Sequence, residues 1–266
     1  MFQKIKGYLK KTFIVRSYLN YKLRHFFWIW TDRDEHAYHF YQQFVKAGDI
    51  VFDIGANHGN RTKLFLKLGA TVVMVEPQIE CIKYLKNVLR NHSNWVLIEG
   101  ALGSTVGEKE MLISSNDVLS TLSVEWLQTI KESGRFSGTV WDKRQKIRLT
   151  TMDALIHQYG MPSFVKIDVE GYEREVLFGL TEAPQAVSFE FTPEYLKTAF
   201  TCIDHLQSLA DYEFQVSLGE SLIFEKTQWM TNEAIKRHLT HISTASLNAL
   251  ELFGDIYALK KNRALL

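Results

Sequence analysis

Short apolar runs that end in a turn residue, set between helix-spaced stripes, frame this chain over residues 50–102. Residues 50–56 (IVFDIGA) form a nearly continuous apolar run that closes on a glycine turn, as a strand buried in a parallel sheet does. Residues 60–69 (NRTKLFLKLG) follow at helical spacing, with Leu64, Phe65 and Leu68 in one stripe. Asn60 is placed to cap the start of that helix and Gly69 its end. Residues 71–77 (TVVMVEP) read as a second strand, stopped by Pro77. Residues 79–92 read as a second helix with Ile82, Leu85 and Leu89 on one face, and 95–102 (WVLIEGAL) as a third strand. Such alternation means βαβ units, and these build a parallel sheet covered by helices.

The alternation then breaks and resumes. Residues 103–145 hold one short strand (109–114) and a stretch rich in Ser, Thr and Gly without a period, which reads as a long insertion over one sheet edge. A strand from 146 and a short helix capped by Thr151 or Asp153 come next. A fourth parallel strand (163–171), a helix (172–180), a fifth strand (186–191) and a helix opened by Thr192-Pro193 complete the repeat. Residues 214–219 and 222–226 resemble a hairpin around Gly219-Glu220, and 255–261 can close the sheet. The segments at 231–241 and 243–253 fold back or meet a second subunit.

With 266 residues, 46% hydrophobic and 23% charged, the chain supports a packed core and excludes wholesale disorder. No stretch approaches the roughly 18 uncharged apolar residues of a membrane span. The basic N-terminus lacks the apolar run and small-residue cleavage site of a secretory signal. Cys81 and Cys202 stand singly, as buried thiols of a reduced, cytoplasmic compartment do. The balance of 31 basic and 30 acidic residues gives no bulk reason to expect nucleic acid as a partner, yet it hides an asymmetry. Residues 1–31 carry seven Lys or Arg, nine aromatic residues and no acid, so the remainder sums to −6. The chain thus divides into a basic, aromatic, helical extension (1–47) and a mildly acidic domain (48–266). The extension reads as helices packed on the domain with lysines in solvent. Peripheral contact with the inner face of a membrane, cover for the pocket, and a homodimer contact are its alternatives.

Chemistry enters at residues 53–60 (DIGANHGN). Gly55 and Gly59 allow a tight strand-to-helix turn and close approach of a ligand. Glu76, 23 residues after Asp53 at the end of the second strand, is placed to accept both hydroxyls of a ribose. Together they indicate an adenosine-containing ligand at the carboxyl edge of a parallel sheet. The glycines are spaced G-x-x-x-G, with Asn57 where the dinucleotide fingerprint has its second glycine, and the P-loop pattern is absent. Asp53 would repel a phosphate. S-adenosylmethionine fits, with an ammonium, a sulfonium, a ribose and no phosphate.

This segment, Glu76-Pro77, Ala101-Leu102-Gly103 and the run 166–173 (KIDVEGYE) together resemble the FkbM-type family of S-adenosylmethionine-dependent methyltransferases over roughly residues 48–230. The resemblance implies a class I, Rossmann-like, doubly wound α/β fold, with a mainly parallel seven-stranded sheet and helices on both faces. It implies that Gly55, Ala56 and Asn57 (with Gly59 completing the turn) face the methionine part of the cofactor, Asp53 lies beneath it, and Glu76 holds the ribose. Gly100, Ala101 and Leu102 should border adenine. Glu99 either meets the adenine amino group or faces a helix.

In residues 164–171 (FVKIDVEG) charged and apolar residues alternate, which on a strand puts Lys166, Asp168 and Glu170 on one side. Three charges on a central strand are costly unless paired or used. Asp168 is the candidate general base, with Glu170 and Glu190 beside it in the catalytic set. The structural reading is that Lys166 pairs with Glu170 and that Asp168 caps the next helix. Asp168, Glu170 and Glu190 could also hold a divalent metal, but no tight cluster of acids in the sequence fixes one, so the metal-free reading is favoured. His58 could reach substrate or face solvent.

The resemblance implies O-methylation of a sugar, glycan or natural-product hydroxyl. The sequence lacks the [ND]-P-P-[FYW] and Pro-Cys signatures of DNA methylation. Trp126 and Trp141 could stack on a sugar, and Arg135, Lys143 and Arg144 could meet an anionic group; the alternative is a mobile, solvated loop with aromatic anchors. Two other classes stay open: a cofactor-binding protein of this fold without turnover, and a nucleotide-dependent oxidoreductase.

Overall fold

The structure, a computed structural model, describes residues 20–245 and 250–261. Ahead of the sheet lie α1 (20–27) and α2 (Asp32–Tyr41), the latter closed by a capping box in which Thr31 and Asp34 satisfy each other's amides. Then come β1 (Ile50–Ile54), α3 (Asn60–Lys67), β2 (Thr71–Glu76), α4 (Ile79–Val88), β3 (Trp95–Glu99) and β4 (Ala101–Leu102). The former insertion segment and its neighbour contribute β5 (Gly107–Ile113), α5 (Val124–Ser133) and β6 (Lys143–Thr150). The chain continues through α6 (Met152–Tyr159), β7 (Phe164–Ile167), α7 (Glu173–Phe178), β8 (Ala186–Phe191), α8 (Leu196–Leu209), β9 (Tyr212–Leu218), α9 (Asn232–Ala245) and β10 (Gly254–Lys260).

The main sheet has seven strands in the order β3-β2-β1-β7-β8-β10-β9. Five are parallel, and β10 runs antiparallel between β8 and β9. The central strands are apolar on both faces, and their alternation sorts the core into two layers. Phe52, Ile54, Val165, Ile167, Val187 and Phe189 point to the layer with α6, α7 and α8. Val51, Val72, Met74, Phe164 and Ala186 point to the layer with α2, α3 and α4. Each Val, Ile, Phe or Met side chain among them contributes about 1.5–3 kcal/mol on burial. The extension belongs to the second layer, where Tyr41 and Phe44 pack on Phe164. Cys81 and Cys202 are buried free thiols. Among the described residues no helix is long and apolar enough to cross a membrane.

Several sequence expectations are corrected. The run 95–102 splits at Gly100, and β4 leaves to form a second sheet, β4-β6-β5. The unpatterned stretch contains a helix, α5, capped by Ser123 and buried through Trp126, Leu127 and Ile130. Residues 222–226 form no strand: one isolated bridge, Ser217 to Phe224, and the Glu225 amide donating to the Val216 carbonyl link them to β9, whose other edge pairs with β10. Gly59, not Asn60, occupies the cap position of α3. The strand expected over 163–171 stops at Ile167, and Glu170 turns to a positive φ of 53°.

Candidate cofactor and acceptor cleft

Parallel strands end on the same side of a sheet, so residues distant in sequence meet there. A cleft of about 1090 Å³ opens at the ends of β1, β2, β7 and β8. At its first wall Gly55 and Ala56 donate their amides to the Val75 carbonyl at 2.9 and 3.1 Å, which ties the turn to β2. Glu76 is buried, and its two carboxylate oxygens accept from the amides of Asn57 and Gln78, each at 2.7 Å. The acid is thereby held at the mouth of the turn. Asp53, Gly55, Ala56, Asn57, Glu76, Ala101 and Leu102 all line the cleft. Gly59 does not: it stands behind the turn against Leu85 and Phe27. Glu99 points away and pairs with Lys86 of α4.

These groups fit S-adenosylmethionine. Glu76 offers a fixed carboxylate for a ribose, and the buried Ala101, Leu102, Met111, Leu119 and Leu122 offer an apolar slot for a purine. Asp53 lies beneath the turn, with the Thr62 hydroxyl donating to it. Burial raises its carboxyl to about 6, against the lowering effects of Thr62 and Lys166. The sign follows from proton binding. Between the ordinary value of 3.8 and about 6 the folded state keeps a proton that the unfolded chain has lost, so stability falls as pH rises through this window. Asp53→Asn should therefore melt higher than the wild type at pH 8, by on the order of 3 kcal/mol, and alike at pH 4. It should also bind S-adenosylmethionine more weakly. Thermal melts at the two pH values with a cofactor titration test both.

The second wall carries the acids. Lys166, buried opposite Asp53 in the register, sends its ammonium to Asp168 Oδ2 and Asp255 Oδ1, both at 3.1 Å. Burial disfavours the ammonium, but Asp168 and Asp255 outweigh this and hold it charged. This corrects the expected partner Glu170. Nor does Asp168 cap a helix: the Glu173 carboxylate receives the amides of Val169 and Gly171 instead. One oxygen each of Asp168, Glu170 and Glu190 lie within 4.8 Å of one another, so the acids form a tight cluster that could hold a metal ion, which the sequence alone did not fix. Burial, then repulsion from neighbouring acids, raises Glu170 and Glu190 well above the usual carboxylate range. The loop is fixed from the insertion side: Thr121 donates to the Glu170 carbonyl at 2.6 Å, and Trp126 packs against Gly171.

The insertion residues divide. Arg135 is buried in a two-bond pair with Glu194, so it serves the structure. Trp126 is buried, and the Trp141 indole donates to the Leu119 carbonyl. Both are anchors. Arg144 pairs with Glu110 at the surface, and Lys143 is exposed there. His58 lines the cleft with its ring against the Asn57 side chain and Tyr84. The rim made by Phe26, Phe27 and Ile29 falls in the extension, for which cover of the pocket was one alternative, but sequence reasoning missed the wall made by Met111, Leu119 and Leu122. Their only signal is apolar character at positions without a period.

The sheet order, with an antiparallel strand next to the last, and the cleft at its carboxyl edge define a class I methyltransferase fold. The model of the FkbM methyltransferase domain matches residues 53–216, and the chain belongs to that family. Solved structures with similar folds include a precorrin-6y C5,15-methyltransferase from Geobacter metallireducens GS-15 (11% identity, 85% of this chain and 87% of that one, TM-score 0.46). Another is an rRNA methylase from Streptococcus thermophilus (11% identity, 85% and 95%, TM-score 0.41). A third is Aeropyrum pernix fibrillarin with natively bound S-adenosyl-L-methionine (12% identity, 81% and 68%, TM-score 0.40). No curated protein matches the chain.

Proposed function

We propose that the protein transfers a methyl group from S-adenosylmethionine to a hydroxyl of a sugar, glycan or natural product. The observation that carries this reading is the acid group facing the glycine turn, in which one carboxylate differs from the other two. The Asp168 side chain is 44% exposed and accepts a hydrogen bond from the buried Lys166 ammonium. Glu170 and Glu190 are held toward their protonated forms. A protonated carboxyl both donates and accepts, so two of them can grip neighbouring hydroxyls of a polyol. Asp168, the third, stands open to the cleft to take a proton.

When bound, S-adenosylmethionine supplies an electrophilic methyl group on a sulfonium. Asp168 accepts the acceptor's hydroxyl proton as the oxygen attacks. Glu170 and Glu190 hold the acceptor so that oxygen, carbon and sulfur align. Lys166, fixed by Asp255, keeps the Asp168 carboxylate in place. The Lys166 ammonium contacts Asp168 and Asp255, while oxygens of Asp168, Glu170 and Glu190 lie close enough together to hold a metal ion, so the metal question rests on the chelator arm of the test.

The test is transfer of labelled methyl from S-adenosylmethionine into cell extract, then into purified polyhydroxylated acceptors, with and without a chelator. We expect a base-stable ether product and no loss of rate with chelator. A labelled amine or carbon product would remove the O-methylation reading, and loss of activity restored by Mg²⁺ would overturn the metal-free mechanism. Parallel titration with NAD addresses the oxidoreductase alternative, which tight NAD binding without S-adenosylmethionine binding would establish.

A further inference from the structure

Two arginines in the cleft converge on one carboxylate oxygen. Arg61, in the first turn of α3, donates to Glu220 Oε2, and Arg33, in the first turn of α2, stands 3.1 Å from the same atom. All three side chains line the cleft. The Arg61 side chain is only 18% exposed, and its guanidinium lies over the Tyr41 ring, 5.8 Å from the centroid. Glu220 is placed differently. It stands in the loop after β9, beside Gly219 at a φ of 54°, with 49% of its side chain exposed. Burial would raise its carboxyl, but Arg61 and Lys166 outweigh this and hold the group below its ordinary range. A guanidinium carries five N–H donors in a fork that matches a carboxylate. Among the described residues Glu220 is the one hydrogen-bond acceptor of Arg61, so that fork is not filled.

Position decides what the pair can serve. Strand β9 ends on the cleft side of the sheet, because β10 runs antiparallel to both β8 and β9. In sheet order Glu76 stands at the end of β2, the acid group at β7 and β8, and Glu220 beyond β9. Along the sheet, the guanidiniums gathered at Glu220 therefore lie across the acid group from the ribose-binding end.

We propose that Arg33 and Arg61 form a subsite for a carboxylate of the acceptor, and that Glu220 fills it as an internal stand-in until the acceptor displaces it. This rests on the proposed function and narrows it. The acceptor is a polyhydroxylated acid such as a uronic acid, whose hydroxyl meets Asp168 while its carboxylate meets the arginines.

The first test needs no turnover, so it is independent of the methyl-transfer reading. Melting curves are recorded with D-glucuronate or D-galacturonate, each beside its neutral sugar. The acids should raise the melting temperature and the neutral sugars should not. Arg61→Gln should weaken binding of the acids about 10-fold or more, and the more exposed Arg33→Gln about 3-fold. Glu220→Gln should strengthen it, since the internal competitor loses its charge; a purely structural ion pair predicts no such gain. Affinity for S-adenosylmethionine should be equal in all three variants. Its loss in Arg61→Gln would put the cofactor's own carboxylate on this pair and overturn the proposal. So would an equal response to acids and neutral sugars, or no response to either. The second test is the charge of the labelled product formed in cell extract. It should bind an anion exchanger at neutral pH and leave it at pH 2, where a carboxylate is protonated. A neutral product, or one still bound at pH 2 as a phosphate ester would be, overturns the carboxylate subsite and leaves methyl transfer standing. Absence of any labelled product would remove the methyl-transfer reading beneath it.

Discussion

Gly55→Ala should abolish cofactor binding and lower the melting temperature, although it adds one methyl group. Gly55 has φ +82°, and a Cβ there would lie 1.8 Å from the carbonyl oxygen of Asp168. That oxygen is backbone, and the same residue's amide is tied to the Ile54 carbonyl at 2.9 Å. Neither side can yield without moving both the cofactor turn and the acid loop. Left-handed backbone at a residue with a side chain costs about 1–2 kcal/mol, and forced overpacking about 1–3 kcal/mol more. Gly59→Ala is the control. Its backbone is also left-handed, but the nearest atom to its Cβ is a terminal methyl of Leu85, at 2.8 Å, which can rotate away. Calorimetry with S-adenosylmethionine should find no binding for Gly55→Ala and weakened but measurable binding for Gly59→Ala. Equal affinities in the two variants would refute this account of the turn.

The second large effect concerns the proposed base. Asp168→Asn should lower kcat by on the order of 10²–10⁴-fold and leave cofactor affinity unchanged. The amide keeps the shape of the carboxylate and still accepts a bond from Lys166, but it cannot take a proton at neutral pH. Lys166 retains Asp255, so the fold should survive, which a melting curve checks. Single-turnover rates with saturating cofactor separate chemistry from binding. If Asp168→Asn turned over like the wild type while Glu170→Gln did not, the base would be Glu170.

The cofactor half of the cleft was legible because its parts are local. A strand, a turn and a helix within 53–67 need only neighbouring residues to take shape, and Glu76 follows at the end of the next strand. The acceptor half was legible only as a set of acids. That Asp168, Glu170 and Glu190 converge depends on β7 and β8 lying side by side, which the alternating pattern implied. That Lys166 pairs with Asp255 rather than Glu170 depends on β10 entering between β8 and β9, and on Glu170 leaving strand geometry. No pattern in residues 255–261 says which edge they will take. Helix α5 carries in Trp126, Leu127 and Ile130 the same spacing that marked α3, but it stands within a stretch rich in Ser, Thr and Gly that hid its start and end.

The position of β10 also imposes an order on the molecule's making. Residues 254–260 are synthesised after every other strand of the main sheet, yet they fill an interior slot rather than an edge. Until they emerge from the ribosome, β8 has no neighbour on that side and Lys166 lacks its Asp255 counter-ion. A nascent chain stalled before residue 254 would thus hold a nearly complete cofactor turn beside an unbalanced acid loop. Among the described strands of the main sheet, the one made last is thus the one that completes the charge balance beside Asp168.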